Sequence, residues 1–214
     1  MMARAAPYDR DKALDAAMSL FWTKGYHATS LKDLETSLRM KPGSIYAAFS
    51  SKENLYLLAL ERYFNRSRAN FRAQMAAAAS PLSGLAAHMR SYASLAPGDT
   101  ARQACMLTKT LVDTRNTDPA IAAQTRAYLA EMRAEFATTF ERAKTAGDLS
   151  ADADTMRLAR RFQANVSALR LELHLGSGTD DIAALAQDMA REIEDLRAIP
   201  ERAASTPTDT RTAC

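Results

Sequence analysis

Nowhere in its 214 residues does the chain approach the roughly 18 uninterrupted apolar residues of a membrane-spanning helix, because Arg, Lys, Asp and Glu recur throughout. Its two cysteines, Cys105 and Cys214, are too few for a disulfide framework, and the opening MMARAAPYDRDK has no apolar stretch after its basic residue. A secretory signal is therefore not expected, and a soluble protein of the reducing cytoplasm is. Glycine and proline are scarce at seven each, and no β-branched run alternates with period two. Those absences disfavour an all-β or loop-rich fold and predict an all-α one. Signatures of catalysis are missing as well: there is no Gly-rich phosphate loop, no G-x-S-x-G, no H-E-x-x-H and no acidic cluster at metal-ligand spacing. His27, His88 and His174 are far apart and have no cysteine at ligand spacing. The sequence predicts no enzyme, no metal site and no cofactor.

What remains is an ordinary globular composition, 47% hydrophobic and 25% charged, in a size suited to one or two modest domains. The net charge of +3 is too small to name a partner. Its distribution says more. Residues 1–52 hold eight Lys or Arg against five acids, so the rest of the chain is neutral overall. A partner with a phosphate backbone would be met at this first quarter of the chain.

Leu14, Ala17, Met18 and Phe21 fall at i, i+3, i+4 and i+7, which predicts an amphipathic helix from Arg10 to Lys24 ended by Gly25. Ser30 and Asp33 form a capping-box pattern opening a helix over Leu31 to Ser37, and Pro42 stands where the next helix would begin. Ser50 and Glu53 repeat the capping pattern before a long helix running from about Lys52 to Ala79 and stopping at Pro81. Beyond it, Pro97-Gly98, Asp118-Pro119, Gly147 and the pair Gly176 and Gly178 divide the chain into five further helical stretches, about nine helices in all. Two of these carry clear stripes: Ile121, Thr125, Tyr128, Met132, Phe136, Phe140 and Ala143, and then Ile182, Leu185, Ala186, Met189, Ile193 and Leu196. Residues 200–214 have almost nothing to bury and are expected to form a disordered tail.

Ser30 to Phe49 holds two short helices and a tight connection in the space of a helix-turn-helix, with Leu31, Leu34 and Leu38 turned inward from the first and Ile45 and Phe49 from the second. In such a unit the first helix braces on the phosphate backbone and the second enters the major groove. From Arg10 to Leu55 the chain resembles the N-terminal domain of the TetR/AcrR family of bacterial transcriptional regulators. Phe21, Gly25, Tyr26, Thr29, Ser30, Asp33, Gly43, Ser44, Ile45, Tyr46, Phe49, Ser51, Lys52, Glu53 and Leu55 match its pattern in order and spacing. Three places depart from it. Leu38-Arg39 stands in the turn where a small residue and Gly are usual, so Arg39 is expected at positive φ; Lys41 replaces a Ser or Asn cap; and Ala47-Ala48 replace polar or aromatic residues.

The resemblance implies a DNA-binding domain over residues 1–52 and a helical ligand-binding and dimerisation domain over 53–199. Thr29 and Ser30, at the start of the second helix, suit a phosphate. Ser44, Tyr46 and Lys52 would contact the DNA backbone, with Arg39 as an extra contact, while Lys41, Pro42, Gly43 and Ala47 would approach base edges. The function implied is a homodimeric repressor that binds a palindromic operator and releases it when a small molecule binds the body. Candidate pocket residues are Tyr63, Phe64, Phe71, His88, Tyr92, Met106, Thr110, Met132, Phe136, Phe162 and Asn165, although most also read as plain core. Phe162, Val166 and Leu169 with Ile182, Leu185, Met189, Ile193 and Leu196 are the candidate dimer interface. Two alternatives stand beside this: a redox-responsive regulator acting through Cys105, whose sequence neighbours are apolar, and a helical adaptor that binds no DNA.

Overall fold

The computed structural model describes residues 9–96, 98–115 and 118–197, which form nine α-helices and two short 3-10 turns. The expected tail lies outside the described residues. A head of three helices, α1 (Arg10–Lys24), α2 (Leu31–Leu38) and α3 (Pro42–Phe49), precedes the long α4 (Lys52–Ala77). The body follows as α5 (Pro81–Ser91), α6 (Met106–Thr114), α7 (Pro119–Thr145), α8 (Thr155–Leu175) and α9 (Thr179–Glu194). Among the described residues no strand forms; a single antiparallel bridge joins Leu149 and Arg197.

The stripes read from the sequence make two cores. The first joins Leu14, Phe21, Leu34, Ile45 and Phe49 of the head to Leu55, Tyr56 and Leu60 of α4, Met106 and Leu107 of α6, and Ile121 of α7. The second joins Phe71 and Met75 of α4 to Leu82 and Met89 of α5, Phe136 and Phe140 of α7, and Phe162 and Leu169 of α8, and is closed by Ala186, Ala190 and Ile193 of α9. α4 runs through both cores and therefore connects the head to the body.

Local chemistry explains the joints. Ser30 and Asp33 form a reciprocal capping box, and Asp33 also pairs with Lys24 at 2.7 Å, which ties the end of α1 to the start of α2. The Lys24 and Ser30 hydrogen bonds hold the Asp33 carboxyl well below the usual carboxylate range. Arg62 of α4 grips both oxygens of Asp15 at 2.7 and 2.8 Å and reaches Asp11 at 2.9 Å, fastening α1 along α4. The cap of α4 differs from the expected one. Ser51, not Ser50, accepts the Asn54 N–H, while Ser50 sits at φ 65° and ψ −51° with the Ser51 N–H donating to the Phe49 carbonyl at 2.7 Å. This is a positive-φ γ-turn, a strained device that reverses the chain in three residues.

Candidate nucleic-acid interface and effector cavity

α2 and α3 are joined by Arg39, Met40 and Lys41. Met40 is buried beneath the turn, and Arg39 adopts the left-handed region at φ 53° and ψ 38°, as its place in the turn predicts. α3 opens with Lys41 as a cap without a side-chain hydrogen bond and Pro42 at the first helical position, which leaves the helix N–H groups facing outward. Ile45 and Phe49 anchor α3 in the core, and Arg39, Lys41, Gly43, Ser44, Tyr46 and Ala47 are exposed around it, with Pro42 half-buried. Tyr46 shows 46% of its surface, enough to reach a partner with its ring and hydroxyl. Ser30 is exposed at the start of α2. Lys52 is half-buried with its Nζ 4.6 Å from the centre of the Tyr26 ring, and burial lowers its pKa. Thr29 departs from expectation. It is buried, and its hydroxyl donates to the Gly25 carbonyl at 2.6 Å, so its side chain stabilises the bend after α1 and faces no solvent.

Between α1, α4, α5, α7 and α8 lies a cavity of about 440 Å³. Of the candidate pocket residues, Tyr63, Phe71, His88, Tyr92, Met132 and Phe136 line it. The others do not. Phe64 stacks on Tyr128 at 4.5 Å, Met106 and Phe162 are enclosed in the two cores, and Thr110 shares a 2.7 Å hydrogen bond with the buried Tyr56 hydroxyl. Asn165 faces a shallow crevice between α8 and α9. For Phe64, Met106 and Phe162 the reason is that an apolar stripe identifies a buried face without saying whether protein or a void lies opposite; for Thr110 and Asn165 it is that a polar residue's partner is set by another helix.

Among the lining residues that escaped the sequence reading are Trp22, Gln163, Ser167 and Arg170. A signal for three of them existed, because Gln163, Ser167 and Arg170 follow at i, i+4 and i+7 and form a polar row flanking the Phe162–Val166–Leu169 stripe. Arg170 donates to the Tyr63 hydroxyl at 2.7 Å and to the Gln103 carbonyl at 3.3 Å, and Tyr63 in turn donates to Cys105 Sγ at 3.6 Å. Burial opposes ionisation of the Cys105 thiol, but the Arg170 charge and hydrogen bonds from Thr108 and Tyr63 outweigh it and leave its pKa below the ordinary thiol value. Cys105 therefore has apolar neighbours in sequence and polar ones in space, the opposite of a small hydrophobe in an apolar core. His88 is pushed down to about 4 by burial and by Arg170. Its Nδ1 lies 2.6 Å from Gln74 Oε1, an atom that only accepts, so Nδ1 carries the proton and Nε2 faces the Tyr92 hydroxyl at 3.4 Å.

The cavity also touches the head. Cys105, Leu107 and Thr108, at the start of α6, form part of its wall. From the same turn, Lys109 Nζ donates to the carbonyls of Trp22 at 3.1 Å and Thr23 at 2.9 Å, and the Trp22 indole N–H donates to the Ala104 carbonyl at 2.8 Å. The last turn of α1 is thus fastened to the cavity wall from both sides.

The candidate dimer stripe is used inside the monomer. Phe162, Leu169, Ile182 and Ile193 are buried, and Val166, Leu185, Met189 and Leu196 are half-buried against the second core. The exposed apolar row on α8 is a different one: Ala164, Ala168, Leu171 and Leu175, with Leu171 at 51% and Leu175 at 67% exposed.

Residues 13–59 match the family model for bacterial regulatory proteins of the tetR family, and residues 81–198 match the tetracyclin repressor-like C-terminal domain. The chain is 47% identical over 72 residues to the HTH-type transcriptional repressor ComR of Escherichia coli, 34% of each chain. It is 39% identical over 56 residues to the biofilm operon icaADBC negative transcriptional regulator IcaR of Staphylococcus epidermidis, 26% of this chain and 30% of that one. The chain thus spans about a third of the length of the curated relatives it matches. Among solved structures, a cysteine-substituted form of the TetR family transcriptional regulator CifR in complex with 26-base-pair operator DNA superposes with a TM-score of 0.80 at 27% identity, covering 88% of this chain and 98% of that one. The reduced form of Escherichia coli NemR shares the fold at a TM-score of 0.76 and 14% identity, over 90% of this chain and 98% of that one. With the head and most of the body matched by family models, the chain belongs to the TetR family of bacterial regulatory proteins.

Proposed function

We propose that the protein is a homodimeric transcriptional repressor whose two α3 helices read a palindromic operator and which lets go when a small molecule occupies the cavity. Repressors among its relatives, and operator DNA in the CifR complex, support the DNA-binding half of this reading. Ser44, Tyr46 and Lys52, with Ser30 and Arg39, serve as backbone contacts, while Lys41, Pro42, Gly43 and Ala47 approach the bases. Of these, Lys41 donates to guanine, and Pro42 and Ala47 offer apolar surface to a thymine methyl. With a head charge so modest, affinity depends on two heads binding half-sites about 34–36 Å apart.

The observation that carries the release half is the double fastening of α1 to the start of α6. A ligand displacing the Cys105–Thr108 wall moves Lys109 and Ala104, and with them the last turn of α1 and the head. A hundredfold loss of operator affinity requires about 2.7 kcal/mol of differential binding between the two head positions. The experiment is selection of bound fragments from a random DNA pool by the full chain: an enriched palindrome is expected, and a pool with none would overturn the reading.

A second reading is favoured by one observation, the lowered pKa of a Cys105 thiol that faces the cavity. Covalent modification of that thiol would then release the operator in place of reversible binding. Iodoacetamide treatment followed by a gel shift tests it. Release in the wild type with none in Cys105→Ser is the expected outcome, and unaltered operator binding by protein shown by mass spectrometry to be alkylated at Cys105 counts against it.

A further inference from the structure

The cavity contains a permanent cation without a counter-ion. Arg170 forms part of its wall, yet no carboxylate among the described residues pairs with it, and the groups that act on its charge are Tyr63, Cys105 and Tyr92. Its Nε–H is buried and has no acceptor, the one buried side-chain nitrogen or oxygen so placed among the described residues. Of its two terminal nitrogens, Nη2 holds only a long 3.3 Å bond to the Gln103 carbonyl. The Trp22 and Tyr63 rings at 5.6 and 6.0 Å give it π faces but no negative charge. The other charged groups on the lining are Arg66, which is exposed, and Asp99, which is exposed and accepts the Ala101 N–H at 2.8 Å. Burying a guanidinium without an anion is strongly unfavourable, and an unmet N–H adds to the penalty.

The wall also carries apolar and aromatic side chains, Trp22, Phe71, Leu129, Met132 and Phe136, among neutral polar ones such as Asn70, Gln74 and Gln163. We infer that the cavity takes a small organic acid with an aromatic or alicyclic body, its carboxylate paired with the Arg170 guanidinium in the cavity wall. A charge-assisted hydrogen bond between a guanidinium and a carboxylate is among the strongest polar contacts a buried site can offer. The volume, about 440 Å³, lies within the ordinary range for such ligands, roughly 300–1,000 Å³. This inference rests on the proposal that the cavity is the effector site, and goes beyond it by naming the chemistry of the effector.

The test is calorimetric titration of the full chain, at neutral pH, with benzoate, 1-naphthoate and biphenyl-4-carboxylate, each paired with its primary amide. At least one acid is expected to bind about tenfold or more tightly than its amide, since the amide lacks the negative charge and offers Arg170 an NH2 donor in place of one acceptor oxygen. The preference should vanish in Arg170→Met and survive in part in Arg170→Lys, which keeps the charge but loses the planar fork. An absence of any acid preference across the panel, including no binding by either member of every pair, overturns the inference, as does a preference undiminished in Arg170→Met. Should Arg170→Met fail to fold, the wild-type pairs and Arg170→Lys decide the matter. Gel shifts on the same samples separate this idea from the release mechanism. An acid bound through Arg170 that leaves the operator complex intact overturns release and not the ligand class; release by the amides as readily as by the acids does the reverse.

Discussion

Arg39 holds a backbone conformation that an L-residue adopts at a cost of about 1–2 kcal/mol, in the turn that sets the angle between α2 and α3. Replacing it by glycine is expected to raise the unfolding free energy by about 1 kcal/mol, read from denaturant midpoints, because the strain disappears. The same change removes an exposed cation beside α3. The slope of operator affinity against salt should fall by about 1, and an unchanged slope would remove Arg39 from the set of phosphate contacts. Ser50, at φ 65° in the γ-turn between α3 and α4, is strained in the same sense, so Ser50→Gly should stabilise without touching the salt slope. His88 makes a pH-dependent contribution. Its folded pKa of about 4 lies below the ordinary 6.5, so protonation favours the unfolded chain. The contribution is complete above about pH 6.5 and is lost as pH falls toward 4, on the order of 3 kcal/mol at full extent. Urea melts at neutral pH and near pH 4.5 should show the wild type losing more stability on acidification than His88→Phe; equal losses would mean that His88 is not held neutral.

At the scale of elements, the joints matter more than the helices. The helices themselves were legible: the capping box at Ser30, Pro42 at a helix start, and the stripes on α7 and α9 all mark local chemistry that repeats at 3.6 residues. The sequence was less informative where two elements compete for one stripe. Phe162, Leu169, Ile182 and Ile193 have the pattern of an interface and close the monomer's own core, while Thr110 and Asn165 are polar residues whose partners or crevice lie on other helices. Arg170 could not be distinguished from a solvated surface charge, since its surroundings depend on α1, α4 and the segment before α6 arriving around it. Nor does a sequence show that α6 would grip α1. Lys109 supplies a cation to the carbonyl end of α1, a favourable placement worth about 0.3–1 kcal/mol. Lys109→Met should therefore accelerate amide hydrogen exchange in the last turn of α1 and leave α9 unchanged. Unaltered exchange there would mean that this contact does not restrain the head.

For the whole molecule, two-headed binding needs a two-fold partner, and the surface left for one on α8 is the row Ala164, Ala168, Leu171 and Leu175. Leu171→Glu combined with Leu175→Glu is expected to give a monomer by sedimentation and to weaken operator binding at least tenfold, because one head retains only one half-site. A dimer that survives both charges would place the interface elsewhere. Under the proposed function the neutral body and basic head would divide the labour: the head for phosphate, the body for a copy of itself and an effector. Trp22 stands where these tasks join. It is the chain's one tryptophan, it lines the cavity, it lies in the last turn of α1, and its indole N–H is committed to the Ala104 carbonyl. The protein therefore possesses an intrinsic optical probe at the contact between cavity and head. If the proposed release mechanism holds, its emission is expected to change with occupancy and head movement together, without a label and in the unmodified chain.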